Sequence, residues 1–396
     1  MKNPKKVSKE IIVFTSCSMV LTALGIDIML PAFAEVRHHF AVGNDVAQTD
    51  KLVTFFFMGQ IMQIVFGYLT DKIGRLPILR FGILLYTLSG FATVFSPSLP
   101  WMFFFRFISG MGAAAVFMTS IASVRDRYAG DEMARVMSLV LTLFLFTPVI
   151  APSLGAVVLN YYSWQWVFLI PPIFAVLVFI WSFRMDESLP VEARNDMKIV
   201  ELIPKLKSIA TDAHFLRYVT IATLIFSVLS SYVSSSERII GDIYQRPDLF
   251  PVIFGAIGLL MAILSLTNSY FTKRYGAKKT LRVILMLYLA AASVLLGGVL
   301  FLGNPPPMVY FFVMIALLMA FTTAGDPNSG ALALEFMGEN AGLAAAVDGT
   351  IFFFIGSGIG AVISSQLTNG VLPLAIGAVV ASLISVILAF GDTAKK

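Results

Sequence analysis

Long apolar runs interrupted by short polar breaks set the pattern of this chain. A membrane-spanning helix needs about 20 predominantly apolar residues, and twelve runs qualify: 11–34, 50–69, 76–96, 100–122, 134–159, 164–184, 214–235, 251–272, 281–302, 308–334, 341–367 and 371–391. Several are longer than a perpendicular crossing requires, which allows tilt or extension past the surface. The longest polar segment, 185–213, carries both signs of charge and divides the runs into six and six. The pattern therefore predicts an N-terminal six-helix half over 1–184, a cytoplasmic central loop over 185–213 and a C-terminal six-helix half over 214–396.

The break between the second and third runs is the most distinctive. Gly67-Tyr68-Leu69-Thr70-Asp71-Lys72-Ile73-Gly74-Arg75-Leu76-Pro77 places two glycines, an acid, two bases and a proline in one short hinge. Glycine permits a tight turn and close helix approach there. The equivalent break in the second half, Tyr270-Phe271-Thr272-Lys273-Arg274-Tyr275-Gly276, repeats the hinge faintly without its acid or proline. Two related halves are an architecture shared by many secondary transporters.

Composition agrees with a lipid solvent. The 396 residues are 58% hydrophobic and 13% charged, with mean hydropathy +0.86; soluble domains average about 25% charged. The single Cys, Cys17, excludes an intrachain disulfide and a cysteine metal cluster. The basic start, Met1 to Lys6, resembles a signal peptide, but the following run is long enough to span and has no small-residue cleavage site, so it reads as a retained first helix. The net charge of +5 reflects orientation rather than a nucleic-acid partner. Of the 28 Lys and Arg, Arg37, Lys51, Arg238 and Arg246 fall in one set of loops and Arg106 in a span; all others lie in the alternate loops or at the ends. The positive-inside rule then places both termini in the cytoplasm.

Charges within spans are the candidates for chemistry, because an ionisable group in hydrocarbon must face a cavity, find a partner or exchange a proton. Asp27 lies in the apolar stretch Leu24 to Leu30, and Arg106 is the only basic residue more than five residues inside a predicted span. Counted from the extracytoplasmic ends, both are roughly 10 Å deep at 1.5 Å per residue. A carboxyl taken out of water can exchange a proton near working pH, whereas a guanidinium stays charged. The expectation is that Asp27 carries the proton and Arg106 tunes or relays to it; the alternative is a static ion pair between two helices. Asp326 and Asp348 form a second set at matched depths, suited to a shared proton, a cation or a substrate, or else solvated in a vestibule. Pro327 removes a backbone hydrogen bond beside Asp326.

Other features read more plainly. Ser227, Ser230, Ser231, Ser234, Ser235 and Ser236 either line a path or bond their own backbone, and Gly356-Ser357-Gly358-Ile359-Gly360 indicates close helix packing rather than a nucleotide loop. His38 and His39 read as solvated loop residues without metal-ligand spacing. With no His/Glu metal set, no Ser/His pair within the spans and no P-loop, an enzyme is not expected.

The hinge resembles the loop 2–3 signature of the major facilitator superfamily. Asp27-Ile28-Met29-Leu30-Pro31-Ala32, Arg106 to Ala113, Val124-Arg125-Asp126, Pro148 and Pro152 with Gly155, and Gly330 to Ala333 resemble the branch of drug:proton antiporters that includes bicyclomycin-resistance and chloramphenicol/florfenicol exporters. The fifth-helix motif departs from the branch in reading Ala151-Pro152-Ser153-Leu154-Gly155-Ala156, and Asp326 and Asp348 are additions to it. The resemblance implies an all-α membrane protein with the major facilitator fold, twelve transmembrane helices in two pseudo-symmetric six-helix halves. It implies that Asp71 engages the start of the eleventh helix with Arg125 as partner, forming with Gly67, Gly74 and Arg75 a gate that closes the cytoplasmic side when the outside is open. The expected function is proton-coupled export of small amphipathic compounds or drugs from the inner membrane, by a monomer in the bilayer with a small-molecule substrate. No cofactor is expected, and the coupling ion is H⁺ before Na⁺. The competing function is export of one physiological metabolite, such as a siderophore or an amino-acid derivative, coupled to H⁺ or another cation.

Overall fold

All twelve apolar runs are helices long and apolar enough to cross a membrane: Lys9–His39, Lys51–Ile73, Arg75–Val94, Leu99–Arg127, Arg135–Leu159, Trp164–Ser182, Ala213–Ile243, Pro247–Tyr275, Ala277–Phe301, Met308–Leu334, Ala341–Ser365 and Leu372–Phe390, here spans 1 to 12. The computed structural model describes residues 9–43, 45–194, 199–368 and 370–391. The terminal bases Lys2, Lys5, Lys6, Lys395 and Lys396, which contribute to the expected orientation, lie outside these. The face carrying the Gly67–Pro77 turn is called the hinge face below.

Helical backbone is the economical choice in lipid because every N–H and C=O is satisfied within the segment. Spans 1 and 7 nevertheless run well beyond their apolar cores. Arg37 and Arg238, expected in loops, are on helix, Arg238 buried and Arg37 partly so: Arg37 meets Glu237 at 2.7 Å and Arg238 meets Asp50 at 2.7 Å. Paired charge lets a helix continue where hydropathy alone would end it.

The long axes are not uniform. Span 1 changes to a 3-10 turn at Leu30–Ala32, span 2 does so at Gln60–Met62, and span 7 ends in a π-helical turn at Ile239–Ile243. Between spans 6 and 7, where a cytoplasmic loop is expected, a helix forms over Ile199–Thr211. Its Leu202 and Ile209 are buried whereas Val200 and Ile203 are exposed, an amphipathic pattern at helical spacing, and it packs on span 11.

At the hinge, Gly74 adopts φ +120°, a conformation open to glycine, and the next residue starts span 3. Glu187, from the segment after span 6, accepts hydrogen bonds from the backbone N–H groups of Arg75 and Leu76 at 3.0 Å each, capping that helix. Arg75 is 9% exposed; it pairs with Asp71 one turn earlier and with Asp126 at 2.8 Å. Ser188 also donates to Asp126, at 2.9 Å.

The Asp71–Arg125 pairing is expected of a form closed on this face; in the structure, which has a cavity there, Asp71 pairs with Arg75. Arg75 follows Asp71 by four residues, so both project from one side of the turn, and Asp126 rather than Arg125 faces them from span 4. Arg125 lines a cavity open on the hinge face, as do Asp71, Arg75 and Asp126. Gly67 approaches the other half directly: a Cβ there would lie 3.2 Å from the Cβ of Ala346 on span 11.

Removing a shared cation from two half-buried carboxylates leaves like charges opposed. Arg75→Gln should lower the melting temperature of the detergent-solubilised protein by several degrees, and Arg125→Gln should leave it unchanged. Equal effects of the two would restore Arg125 as the partner.

Candidate functional site

The four charged candidates, Asp27, Arg106, Asp326 and Asp348, fall in two separate regions. The first surrounds the break in span 1. Pro31 lacks the N–H that would bond the carbonyl of Asp27, and the regular helix stops at Asp27. Asp27 is 6% exposed and has no hydrogen bond or ion pair among the described residues. Arg106, 3% exposed, does not reach its carboxylate. The guanidinium donates instead to the carbonyls of Gly25 on span 1, at 2.7 Å, and Leu52 on span 2, at 3.3 Å. It lies 4.5 Å over the ring of Phe56, a cation–π contact.

Arg106 thus fixes the backbone two residues before Asp27, acting as a clamp between spans 1, 2 and 4. Tyr86 on span 3 adds a second tie, donating to the carbonyl of Leu21 at 2.8 Å. Span 5 closes over the same break. Gly155 sits where a Cβ would collide with the carbonyl oxygen of Ile28 and come within 3.1 Å of Pro31, so only glycine fits. One and two turns earlier, Pro152 and Pro148 lie within the helix, and Pro148 faces Gly258 on span 8. The helix-5 motif therefore connects the break in span 1 with the seam against the second half.

The second region is a cavity of about 640 Å³ on the hinge face. Asp326 from span 10 and Asp348 from span 11 both line it, as expected from their matched depths; Asp27 does not. One carboxylate oxygen of Asp348 is buried without a hydrogen-bond partner, and the other lies near Gly330, one turn beyond Asp326. The apolar wall includes Phe117, Phe352 and Phe353. Phe353 stacks at 5.7 Å on Phe57 of span 2, and Phe226 of span 7 stacks at 4.1 Å on Phe352. These four rings join the two halves at the inner end of the cavity. Asp71, Arg75 and Arg125 lie along its lining together with Asn340 and Gly342 at the start of span 11.

Several polar residues here do not stand out among the charged candidates in sequence. Gln63 lines the cavity, donates to Gln60 at 3.1 Å and lies against Gly349, next to Asp348. Thr350 donates to the carbonyl of Ile61 at 3.2 Å. On span 10, Asn328 donates to Asn268 of span 8 at 2.8 Å and accepts from Thr272 at 2.7 Å, tying span 8 to the turn that carries Asp326 and Pro327. The available signal is a polar residue inside an apolar run, which needs a partner as a charge does.

The face opposite the hinge is closed by charge pairs between the halves. Arg37 bonds Glu237 and reaches Asp242 at 3.3 Å. Asp50 accepts from Arg238 at 2.7 Å and from Ser364 at 2.5 Å, while Arg238 also donates to the carbonyls of Ser364, at 2.9 Å, and Leu367. The serines of span 7 are buried and bond mainly to their own helix, as Ser235 does to the carbonyl of Ser231 at 2.6 Å. Gly360 of span 11 packs onto Ser227 and Ser230, so the glycine run serves close helix packing. His39 makes ring contacts with Phe40 and Trp164.

A cavity reached from one face, ionisable groups within it, paired charges sealing the other face and broken helices between them can admit a solute from one side at a time. The chain is 29% identical to the MFS-type transporter YdgK of Bacillus subtilis, covering 95% of this chain and 94% of that one. It is 26% identical to a bicyclomycin resistance protein homolog of Haemophilus influenzae, over 90% and 89%. A chloramphenicol resistance protein, CraA of Acinetobacter baumannii, is 24% identical over 59% of this chain and 58% of its own. The fold matches the xylose transporter XylE from E. coli in a partially occluded inward open conformation, with TM-score 0.75, 11% identity and 97% of each chain covered. It also matches the human organic anion transporter MFSD10, with TM-score 0.72, 15% identity, and 98% and 99% covered. A family model described as Major Facilitator Superfamily matches residues 15–361, and the chain belongs to that superfamily.

Proposed function

We propose that this transporter is a proton-coupled antiporter that exports small amphipathic compounds by alternating access. The observation that carries this reading is the hinge-face cavity, which combines an aromatic wall with two carboxylates while ion pairs hold the opposite face shut. Apolar walls with a few convergent polar groups suit amphipathic ligands, and acidic groups beside phenylalanine rings favour a cationic or hydrogen-bonding one. The relatives named for bicyclomycin and chloramphenicol resistance support the export direction. The excess of Lys and Arg on the hinge face supports a cytoplasmic location for that face, both termini and the cavity mouth, in an inner membrane.

In this mechanism a substrate enters from the hinge face and is held by the aromatic wall with Asp326 and Asp348. Asp27 carries the proton. It accepts one when the opposite face is open and releases it towards the hinge face, so that inward proton movement drives outward movement of substrate. Arg106 is a positioning residue, holding the carbonyl of Gly25 and with it the break that presents Asp27. When the cavity mouth closes, Asp71, which lines the cavity together with Asn340 and Gly342, meets the start of span 11 at its positive end. The Arg37–Glu237 and Asp50–Arg238 pairs must separate in the same step.

Transport in proteoliposomes under an imposed pH gradient, screened with cationic, neutral and zwitterionic compounds, tests the proposal. Flux that disappears only when a Na⁺ gradient is collapsed would reject proton coupling. Asp27→Asn should abolish pH-driven flux while the protein remains folded in the membrane; full transport by this variant removes Asp27 from the coupling role. Asp326→Asn should weaken affinity for cationic substrates by about tenfold, the scale of one lost charge-assisted contact. If neither affinity nor proton stoichiometry changes, Asp326 is merely solvated. Asp50→Asn with Arg238→Met should shift the protein towards the state open on the opposite face, measured as increased alkylation of a cysteine placed there. Unchanged alkylation would show that this pair does not hold the face shut.

A further inference from the structure

A second groove, of about 450 Å³, lies between spans 8, 9 and 10 on the hinge side. Its walls are apolar, formed by Leu264, Phe271, Val283, Leu287 and Phe321, and Lys279 stands at its edge. It extends roughly 16 Å along span 8, judged from the positions of Leu264 and Tyr275. Phe271, Val283 and Leu287 are about half exposed, as suits a surface turned towards hydrocarbon.

The charge around this groove differs from that at the matching turn of the first half. There, Arg75 is neutralised by Asp71 and Asp126, and Glu187 caps the helix start. In the repeat, Lys273, Arg274 and Lys279 are exposed and have no carboxylate partner among the described residues. Arg274 is held by Tyr270, whose hydroxyl accepts at 3.1 Å, and lies 5.4 Å over the ring of Tyr275, itself part of the groove wall. Three unneutralised cations thus collect at the membrane-surface end of an apolar trough.

We propose that this groove binds an anionic phospholipid, with one acyl chain along spans 8 and 9 and the phosphate held by Lys273, Arg274 and Lys279. Simple topogenic charge accounts for the cations but not for a groove beneath them. The lining of the groove includes Asn268 and Ala324. Asn268 bonds Asn328, so the lipid chain would abut the tie between spans 8 and 10.

The test uses the full-length protein in phosphatidylcholine nanodiscs doped with phosphatidylglycerol or phosphatidylcholine bearing a photoactivatable acyl chain, with labelled peptides located by mass spectrometry. Phosphatidylglycerol should label residues 264–287 in preference to phosphatidylcholine. Replacing all three cations by Gln should remove that preference, each cation accounting for about a fivefold change in lipid partition. Val283→Trp, which fills the groove, should reduce labelling by both lipids, and glycerol 3-phosphate should not compete. Melting temperature and monodispersity of each variant separate loss of binding from loss of fold. Equal labelling by the two lipids, labelling spread evenly around the bundle, or a preference that survives the triple substitution would overturn the proposal. Competition by glycerol 3-phosphate would assign the cations to a soluble anion instead.

Discussion

A polar group within the bilayer has no water to fall back on, so its partner must come from the protein. Arg238 shows how far this constraint reaches. Its guanidinium is 2% exposed and draws together Asp50 from the first half and the carbonyls of Ser364 and Leu367 from the second. Such a buried pair is modest evidence of stability, because desolvation offsets much of the Coulomb attraction. It is better suited to specifying one arrangement of the halves. Separating it strands two charges, so the closed face has a defined alternative instead of a continuum of partly open forms. The same rule accounts for the length of spans 1 and 7, whose ends stay helical where Arg37, Glu237 and Arg238 find partners of opposite charge.

The carboxylates divide into two environments with different chemistry. Asp326 and Asp348 line a cavity beside aromatic rings, where a solute can reach them. Asp27 lies outside that lining, next to a helix break secured by Arg106 and covered by Gly155. In the proposed mechanism, proton and substrate therefore need not meet at one residue. Coupling can pass through span 5, which touches the break at Gly155 and the second half at Pro148, and through span 2, whose Gln63 lies against Gly349 beside Asp348. These are contiguous contacts between helices that must rearrange together, a physical basis for coupling over distance.

Most of the spans were legible in the sequence because lipid imposes a nearly one-dimensional test: enough apolar residues in succession. That test falls short where polarity is internally paired, as at the ends of spans 1 and 7, and where a helix is amphipathic rather than apolar throughout, as over Ile199–Thr211. The candidate site was legible to the extent that it is charged. Asp27, Arg106, Asp326 and Asp348 stand out in apolar runs, and equal depth does bring Asp326 and Asp348 to one cavity. Equal depth did not pair Asp27 with Arg106, because depth fixes position along a helix and leaves rotation about it free. The hinge repeats this lesson: Arg125 and Asp126 are neighbours in sequence, but only Asp126 turns towards Arg75. Asn268 and Asn328 carry no formal charge and so gave a weaker signal, although their burial demands partners just as strictly.

The rotation of Arg106 changes what a cation can do beside an acid proposed to carry a proton. A guanidinium paired directly with Asp27 would favour the ionised carboxylate at all times and oppose proton uptake. Clamping the carbonyl of Gly25 instead leaves the carboxylate without a permanent counterion while keeping its backbone in place. The cation is itself satisfied by two carbonyls and the face of Phe56, so it needs no carboxylate to remain buried. This arrangement requires the planar, multidentate head of arginine; lysine would be a point charge that cannot span spans 1 and 2 in the same way. Gly155 completes the geometry by letting span 5 lie directly on the break without a side chain to push it apart. The acid is then free to change its protonation state, and the surrounding backbone is constrained enough for that change to be felt by spans 1, 2, 4 and 5 together.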